Sequence, residues 1–446
     1  VKHWLNSSSM NKSVTQNYEF ENSILRCLSY ISEFTIDIYN EFDLIANQRD
    51  LDDKINDLMN GKIVNHTEKQ SALHPKYRKD GPKLNDHLVK LINRIKNNHE
   101  IKNVNIVVIG IGGSIEGPKL LIESINSPQI NNQYSYHFIT GSDIYEFEYK
   151  TSNLNPDETV FIISSKSFST EETIQMMKLA LAWSSGIDNF IAITSNPKKA
   201  KEFGFNDSSI VSFDKEIYGR YSIWSPIAEI PLSNNSSYES FLKGGRQVDI
   251  DLLKNQKFFE FVKRLSFSDI WNNNFKNKHI RSVLSFIWSF RSLPNYIQQL
   301  EMESLGKSPS KTSKYKKTGQ IIFGGYGPRA QHSYFQLFHQ GTQELCADII
   351  TSNDNSNSLA YLQAITQAEI LANGAETTDK KEKVNGNVSV NLFSLKKADP
   401  FSLGYLIAMW EYRVFITAVL LGVNPFDQFG VGVGKAFTKK ILDNLN

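Results

Sequence analysis

VFIISSKSFSTEETIQMMKLALAW, residues 160–183, opens with a β-branched apolar run from Val160 to Ile163, passes through SSKSFST, and continues with Ile174, Met177 and Leu181 at helical spacing. That order is strand, hydroxyl-rich turn, helix. The first turn of a helix leaves backbone N–H groups unpaired at the positive end of its dipole, so an anion settles there. Ser165, Ser167, Ser169 and Thr170 add hydroxyl donors and Lys166 adds a full positive charge. The set fits a phosphate. The same residues also read as a plain helix start, with Ser169 or Thr170 as the cap and Glu172 at capping-box spacing from Ser169.

A second strand-to-helix turn lies upstream in NVNIVVIGIGGSIEGPKLL, residues 103–121. Its glycines allow a ligand close to the backbone, or serve a tight turn and nothing more. The dinucleotide fingerprint fails on spacing, because after Gly110 and Gly112 the third glycine belongs at 115, where Ile115 stands. No G-x-x-x-x-G-K-[ST] occurs either. Strands expected over 105–109, 136–139, 159–163 and 190–193 alternate with helical stretches, which implies a parallel sheet covered on both faces. Ligands bind such sheets beyond the carboxyl ends of the strands. Ser114 and the Ser165 turn both follow strands, so one pocket can take both.

The chain has 446 residues, 40% hydrophobic and 22% charged, which allows two or three domains with sizeable cores. A formal net charge of +2, without a dominant basic block, gives no sign of a nucleic-acid partner. Cys27 and Cys346 stand far apart, so a disulfide framework is not expected and a reducing compartment, the cytoplasm, is. The apolar region 401–423 is broken by Glu411, Arg413 and glycines and reads as a buried core helix, not a membrane span. VKHWLNSSSMNKS at the start lacks the apolar core of a secretion signal.

From Tyr18 to Met59 the positions Ile24, Leu28, Ile31 and Phe34 read as packed helices, and Thr67 is placed to cap a short helix. YGRYSIWSPIA, 218–228, sets Arg220 among aromatics. A second, mostly helical half begins near Leu252, with an Asn-rich surface turn expected over 271–277. In YIQQLEMESLGK, 296–307, Glu301 and Glu303 are two apart on a helix and project in different directions, so at most one faces a shared site. IIFGGYGPRAQHSYFQLFHQG, 321–341, reads as strand, glycine turn and a helix carrying His332 and His339, seven residues or about 10 Å apart along the axis. One metal cannot take both, and with no HExxH and no clustered cysteines zinc is not indicated. The tail turns at Asn424-Pro425 and leads through spaced glycines to Lys435.

GIGGSIEGP, SSKSFST, GRYSIWS, MESLGK, QHSYFQLFHQGT and NPFDQFGVGVGK stand in this order along the chain. On these motifs, from about Asn65 to the C-terminus, the sequence closely resembles the glucose-6-phosphate isomerase family. The resemblance implies an α/β fold of two sugar-isomerase (SIS-type) three-layer α/β/α domains with parallel sheets, plus extra N- and C-terminal helices. We expect an N-terminal helical segment over 1–95 packing on the large domain, a phosphate-binding SIS domain over 96–250, and a second SIS domain with C-terminal helices over 251–446. The resemblance further implies that Ser165, Lys166, Ser167 and Thr170 hold a substrate phosphate, with Gly113 and Ser114 lining the pocket. By the same resemblance Arg220 is expected near the developing enediolate, Gln299 and Gln428 against the sugar, and Glu303 as the base. His332 and Lys435 are the ring-opening candidates, with His332 reaching the site from the neighbouring subunit of a homodimer.

The chemistry explains the residue types. Exchanging an aldose and a ketose phosphate moves a proton between C1 and C2 through a cis-enediol, which one carboxylate on one face can remove and return. A cyclic sugar must open first, which takes proton donation to the ring oxygen. A histidine, with an ordinary pKa of about 6.5, suits this. A fixed arginine stabilises the enediolate, and no redox cofactor or metal is required. The pattern departs from the family at GGYGPRAQH, where GEPGTNGQH-like residues are usual and Arg329 brings a new charge. Gly432 replaces a common Glu, and Ser167 and Ser169 stand for threonines. The expected activity is interconversion of glucose 6-phosphate and fructose 6-phosphate. Alternatives are an isomerase also acting on mannose 6-phosphate, or a catalytically silent sugar-phosphate-binding module on the same fold.

Overall fold

The computed structural model describes residues 17–81, 87–99, 103–125, 134–184, 186–229, 232, 236–309 and 313–445. Its strands, in chain order, are β1 (Tyr18–Glu21), β2 (Leu25–Tyr30), β3 (Ile63–Asn65), β4 (Gln70–Ser71), β5 (Val104–Ile109), β6 (Tyr134–Ile139), β7 (Thr159–Ser164), β8 (Phe190–Thr194), β9 (Ile210–Ser212), β10 (Ile280–Ser285), β11 (Ile321–Tyr326), β12 (Leu345–Ser352) and β13 (Ser389–Leu395). The first sheet runs β6-β5-β7-β8-β9, every pair parallel. Its central strands β5, β7 and β8 are dominated by buried apolar residues because both faces are covered, while the edge strand β6 is mixed and only partly buried. Ile106, Val108, Val160, Ile162, Ile191 and Ile193 pack into one core. The residues between them, Val107, Ile109, Phe161, Ile163, Phe190 and Ala192, pack into another. The sheet expected from the sequence is therefore present, with each strand within two residues of its expected ends.

The second sheet runs β1-β2-β13-β12-β10-β11. Strands β10 to β13 are parallel, while β2 joins β13, and β1 joins β2, antiparallel. Residues 18–30, expected to be helical, are thus the edge hairpin of this sheet. Leu25, Cys27 and Ser29 are buried at period two, with Tyr30 buried at the strand's end, and the 24-28-31 spacing that suggested a helix is a coincidence of strand and turn residues. Helices do follow, at Ile36–Gln48 and Leu51–Met59. Thr67 sits in the β3–β4 hairpin, not at a helix cap. The expected Asn-rich surface turn is instead the end of the helix Gln256–Asn274, where Asn272 and Asn273 are buried.

The helix Ser236–Lys254 runs through the boundary expected at 250/251 and lies against the helix Pro400–Leu421. Their contact is nearly backbone on backbone: a Cβ on Gly404 would stand 1.9 Å from the Phe241 carbonyl oxygen, and one on Gly244 1.9 Å from that of Phe401. Pro400–Leu421 is long and apolar enough to cross a bilayer, but it is enclosed by protein. Glu411 and Arg413, which break its apolar run, are both buried and ion-paired, Glu411 to Arg78 and Arg413 to Asp269 and Asp348.

Candidate active site

Three loops meet at the carboxyl ends of β5 and β7. Gly112, with φ +57°, occupies the left-handed region open to glycine, and a Cβ there would press on Gln299 Nε2 at 2.9 Å. Gly113 lies so close to the 219 turn that a Cβ would stand 2.1 Å from the Gly219 carbonyl oxygen. Ser222 fastens the contact by donating to the Gly113 carbonyl at 3.0 Å. The glycines of GIGGS therefore serve the close approach of the GRYSIWS turn. Ser114 is partly buried beside them.

In SSKSFST the chain bends at Phe168, whose φ of +51° is a costly conformation for a bulky residue, on the order of 1–3 kcal/mol. Its fully buried ring, against Phe203 and Phe205, holds the bend in place. Thr170 occupies the N-cap of the helix Glu171–Trp183, yet its side chain makes no capping hydrogen bond, and the Ser169 hydroxyl donates to Ser167 Oγ at 2.9 Å. The capping-box reading is thus replaced by a turn whose hydroxyls are not spent on the helix. Ser165 Oγ is buried without a hydrogen-bond partner. Lys166 Nζ lies 4.7 Å from the Tyr218 ring centroid, and burial lowers its pKa, opposed by Glu68 and Glu216. An ammonium so placed gains from a bound anion.

The 219–224 turn carries Arg220 into the interior, 1% exposed. Its Nε donates to Ser304 Oγ at 2.8 Å, and Nη1 donates to Glu303 Oε2 at 3.1 Å and Gln428 Oε1 at 2.8 Å. Nη2 donates to the carbonyl oxygens of Pro425 and, at 3.0 Å, Asp427. Gln299 Nε2 donates to the other carboxylate oxygen of Glu303 at 3.1 Å. Glu303 remains one-third exposed, so its carboxylate is fixed on two sides and reachable from a third. Glu301, two residues away, is buried against Arg281 and Trp410, so only Glu303 faces this group, as the helical spacing required. Arg220, Glu303, Gln299 and Gln428 thus form one hydrogen-bonded cluster, with Gly113 in contact with the turn and Lys166 stacked on the preceding residue.

His332 and Lys435 are not part of it. His332 lies in the turn between the short helices Gly327–Ala330 and Phe335–Gln340, not on a helix with His339, and is exposed, as is Arg329. Lys435 is on the helix Gly432–Leu445, whose described side chains are all exposed, Val433, Phe437 and Ile441 among them. Sequence reasoning passed over Ser304, Asp427 and Lys307, although each sits within a motif beside a residue it singled out. It also passed over Tyr221 and His74: the Tyr221 hydroxyl and Ser304 Oγ are 3.1 Å apart, and His74 stacks on the Tyr221 ring at 4.6 Å.

Two α/β units built on parallel strands are the fold of the sugar-phosphate isomerase class. A solved glucose-6-phosphate isomerase from Chlamydia trachomatis superposes with a TM-score of 0.82 over 96% of this chain and 90% of its own, at 21% identity. The chain belongs to the phosphoglucose isomerase family, whose profile matches residues 31–446. It is 32% identical to the glucose-6-phosphate isomerase of Legionella pneumophila strain Paris, over 98% of this chain and 94% of that one. To that of Shewanella sp. strain MR-4 it is 31% identical, over 92% and 86%.

Proposed function

We propose that this chain interconverts glucose 6-phosphate and fructose 6-phosphate by ring opening and proton transfer through a cis-enediol. The observation that carries the reading is the Glu303 carboxylate, held between Arg220 and Gln299 at the mouth of the three loops. Glu303 removes a proton from one carbon and returns it to the neighbouring one. Arg220 is the fixed cation for the enediolate. All five of its N–H groups already have acceptors, so presenting one to a ligand oxygen means that Nη1 exchanges a partner, and Gln428 is the neutral one. Ser165, Lys166, Ser167 and Thr170 hold the phosphate, whose binding orients the sugar for the proton steps.

His332 and Lys435 open the ring, His332 reaching a neighbouring chain's site in a homodimer. What supports the dimer is that both residues are exposed and that Val433, Phe437 and Ile441, at i, i+4 and i+8, form an apolar stripe with no cover among the described residues. The division into two SIS domains is supported by the two separate sheets, whereas the bounds at about 95 and 250 are not marked by them, since β1 and β2 belong to the second sheet and the helix Ser236–Lys254 crosses 250. Cytoplasmic residence fits Cys27 and Cys346, both buried and unpaired.

The test is conversion of fructose 6-phosphate in deuterated, metal-free buffer by the purified chain and by Glu303→Gln. Rapid conversion with deuterium at C2, lost in a variant that still binds the sugar phosphate, is the expected result. Saturable binding without conversion by the unaltered chain would leave only a sugar-phosphate-binding module, and conversion of mannose 6-phosphate in the same assay would widen the substrate range.

A further inference from the structure

Lys307 ends the MESLGK motif, and the chemistry above assigns it nothing. Its Nζ donates to the carbonyl oxygens of Glu303 at 2.6 Å, Ser304 at 3.2 Å and Asp427 at 2.8 Å, and lies 3.4 Å from Asp427 Oδ1. An ammonium has three donors, and three carbonyls take them. Two of those carbonyls belong to the last turn of the helix Leu293–Leu305, where no intrahelical partner exists. The third, of Asp427, also accepts from Arg220 Nη2 at 3.0 Å, so one oxygen bridges two cations. On the far side, Asp427 Oδ2 accepts from the Thr67 hydroxyl at 2.8 Å and the Asn424 amide at 3.0 Å, and that amide also reaches Asn65 Oδ1 at 2.7 Å. A continuous polar latch therefore runs from the β3–β4 hairpin through Asp427 and Lys307 to the end of the helix that carries Glu303.

Resting on the isomerase reading, we propose that Lys307 is a positioning residue: by tying the end of the Glu303 helix to the 424–428 loop it sets the Glu303 carboxylate and Gln428 relative to Arg220. Lys307 has no donor left for substrate, so it acts through the residues it joins. The phosphate cradle at 165–170 lies outside the latch, so loss of Lys307 separates the two kinetic constants. A shift of about 1 Å between base and substrate lowers turnover on the order of 100-fold, while phosphate-dominated binding changes little.

The experiment compares steady-state kinetics on fructose 6-phosphate for the unaltered full chain, Lys307→Met, Lys307→Arg and Thr67→Val, with thermal unfolding of each. Lys307→Met keeps the length of the side chain but none of its donors. The expected result is a kcat 10- to 100-fold lower with KM within about threefold, several-fold recovery in Lys307→Arg, and a smaller loss in kcat for Thr67→Val. Unchanged kcat in a folded Lys307→Met, a loss that falls equally on kcat and on 1/KM, or an Arg variant no better than Met would each overturn the proposal. Should Lys307→Met fail to fold, the Arg and Thr67→Val variants decide it by the same split: normal kcat in both overturns it. An inactive unaltered chain would instead remove the isomerase reading, and the latch proposal with it.

Discussion

Arg220 and Lys166 represent two ways of holding a cation at a site. Arg220 is fixed by five acceptors before any ligand arrives, so its guanidinium is already in place and only the exchange of one Nη1 partner separates it from a ligand oxygen. Lys166 is desolvated and rests on an aromatic face, an incomplete environment that the proposed phosphate would complete. Lys166→Ala should therefore act on binding, raising KM for fructose 6-phosphate roughly 10- to 100-fold, the worth of one charge-assisted hydrogen bond, with the smaller effect on kcat. Steady-state kinetics check it, and an unchanged KM would count against the cradle. Beneath Arg220, His74 is 2% exposed and its Nδ1 has no partner. Burial holds its pKa well below the usual histidine value, with Arg78 adding to the effect. Below about pH 6.5 the unfolded chain takes up a proton that the folded chain refuses, so this contribution to stability is intact above that pH and drains away beneath it. Between about pH 7.5 and 5.5 the protein should lose more unfolding free energy than His74→Phe does, as measured by urea titration. Parallel curves would show that His74 does not titrate this way.

Among the elements, the helix pair Ser236–Lys254 and Pro400–Leu421 is the most exacting contact, because glycines bring the backbones together. Gly404→Ala should destabilise by about 1–3 kcal/mol or more, since the new methyl meets a carbonyl oxygen that no rotamer change can move. Gly186→Ala, with nothing within 4 Å of the added carbon, should stay within about 0.5 kcal/mol, and differential scanning calorimetry of the pair makes the comparison. Legibility in the sequence divides along similar lines. Strands β5, β7 and β8 were readable because strands buried on both faces carry runs of consecutive apolar residues. The separate fates of Glu301 and Glu303 followed from helical geometry alone. The hairpin 18–30 was not readable, since its exposed edge carries polar residues and its buried positions are too few to separate period two from period 3.6. Nor was the latch at Lys307: a lysine in a Lys/Ser-rich run looks solvated until the 424–428 loop, far along the chain, is seen against it.

At the scale of the molecule, the strand orders β6-β5-β7-β8 and β11-β10-β12-β13 are the same arrangement twice. The loop after β7 carries Lys166 and uncommitted hydroxyls. Its counterpart after β12 carries Asp354, whose carboxylate is occupied by the Ser352 hydroxyl and the Ala398 N–H. A phosphate there would face a fixed negative charge, so the proposed cradle after β7 has no equivalent in the second unit. The dimer reading makes a separate demand on the C-terminal helix. Charging its stripe with Phe437→Glu and Ile441→Glu should halve the sedimenting mass and, with His332 no longer supplied by a neighbour, abolish conversion. A monomeric unaltered chain with full activity would refute it.

The edge hairpin reaches beyond architecture. β2 pairs with β13, and the Ser29 hydroxyl donates to Asn391, 362 positions later. A ribosome making this chain in order releases the first sheet complete long before the second, whose opening strands wait through 362 further positions to find their neighbour. Such distant pairing is slow to form, and in the interval the unpaired edges of the early hairpin are open to other chains. The price of placing the first strands last in assembly is a long window of exposure during synthesis, and chain-length-resolved protease protection should show residues 18–30 becoming resistant only once β13 has emerged.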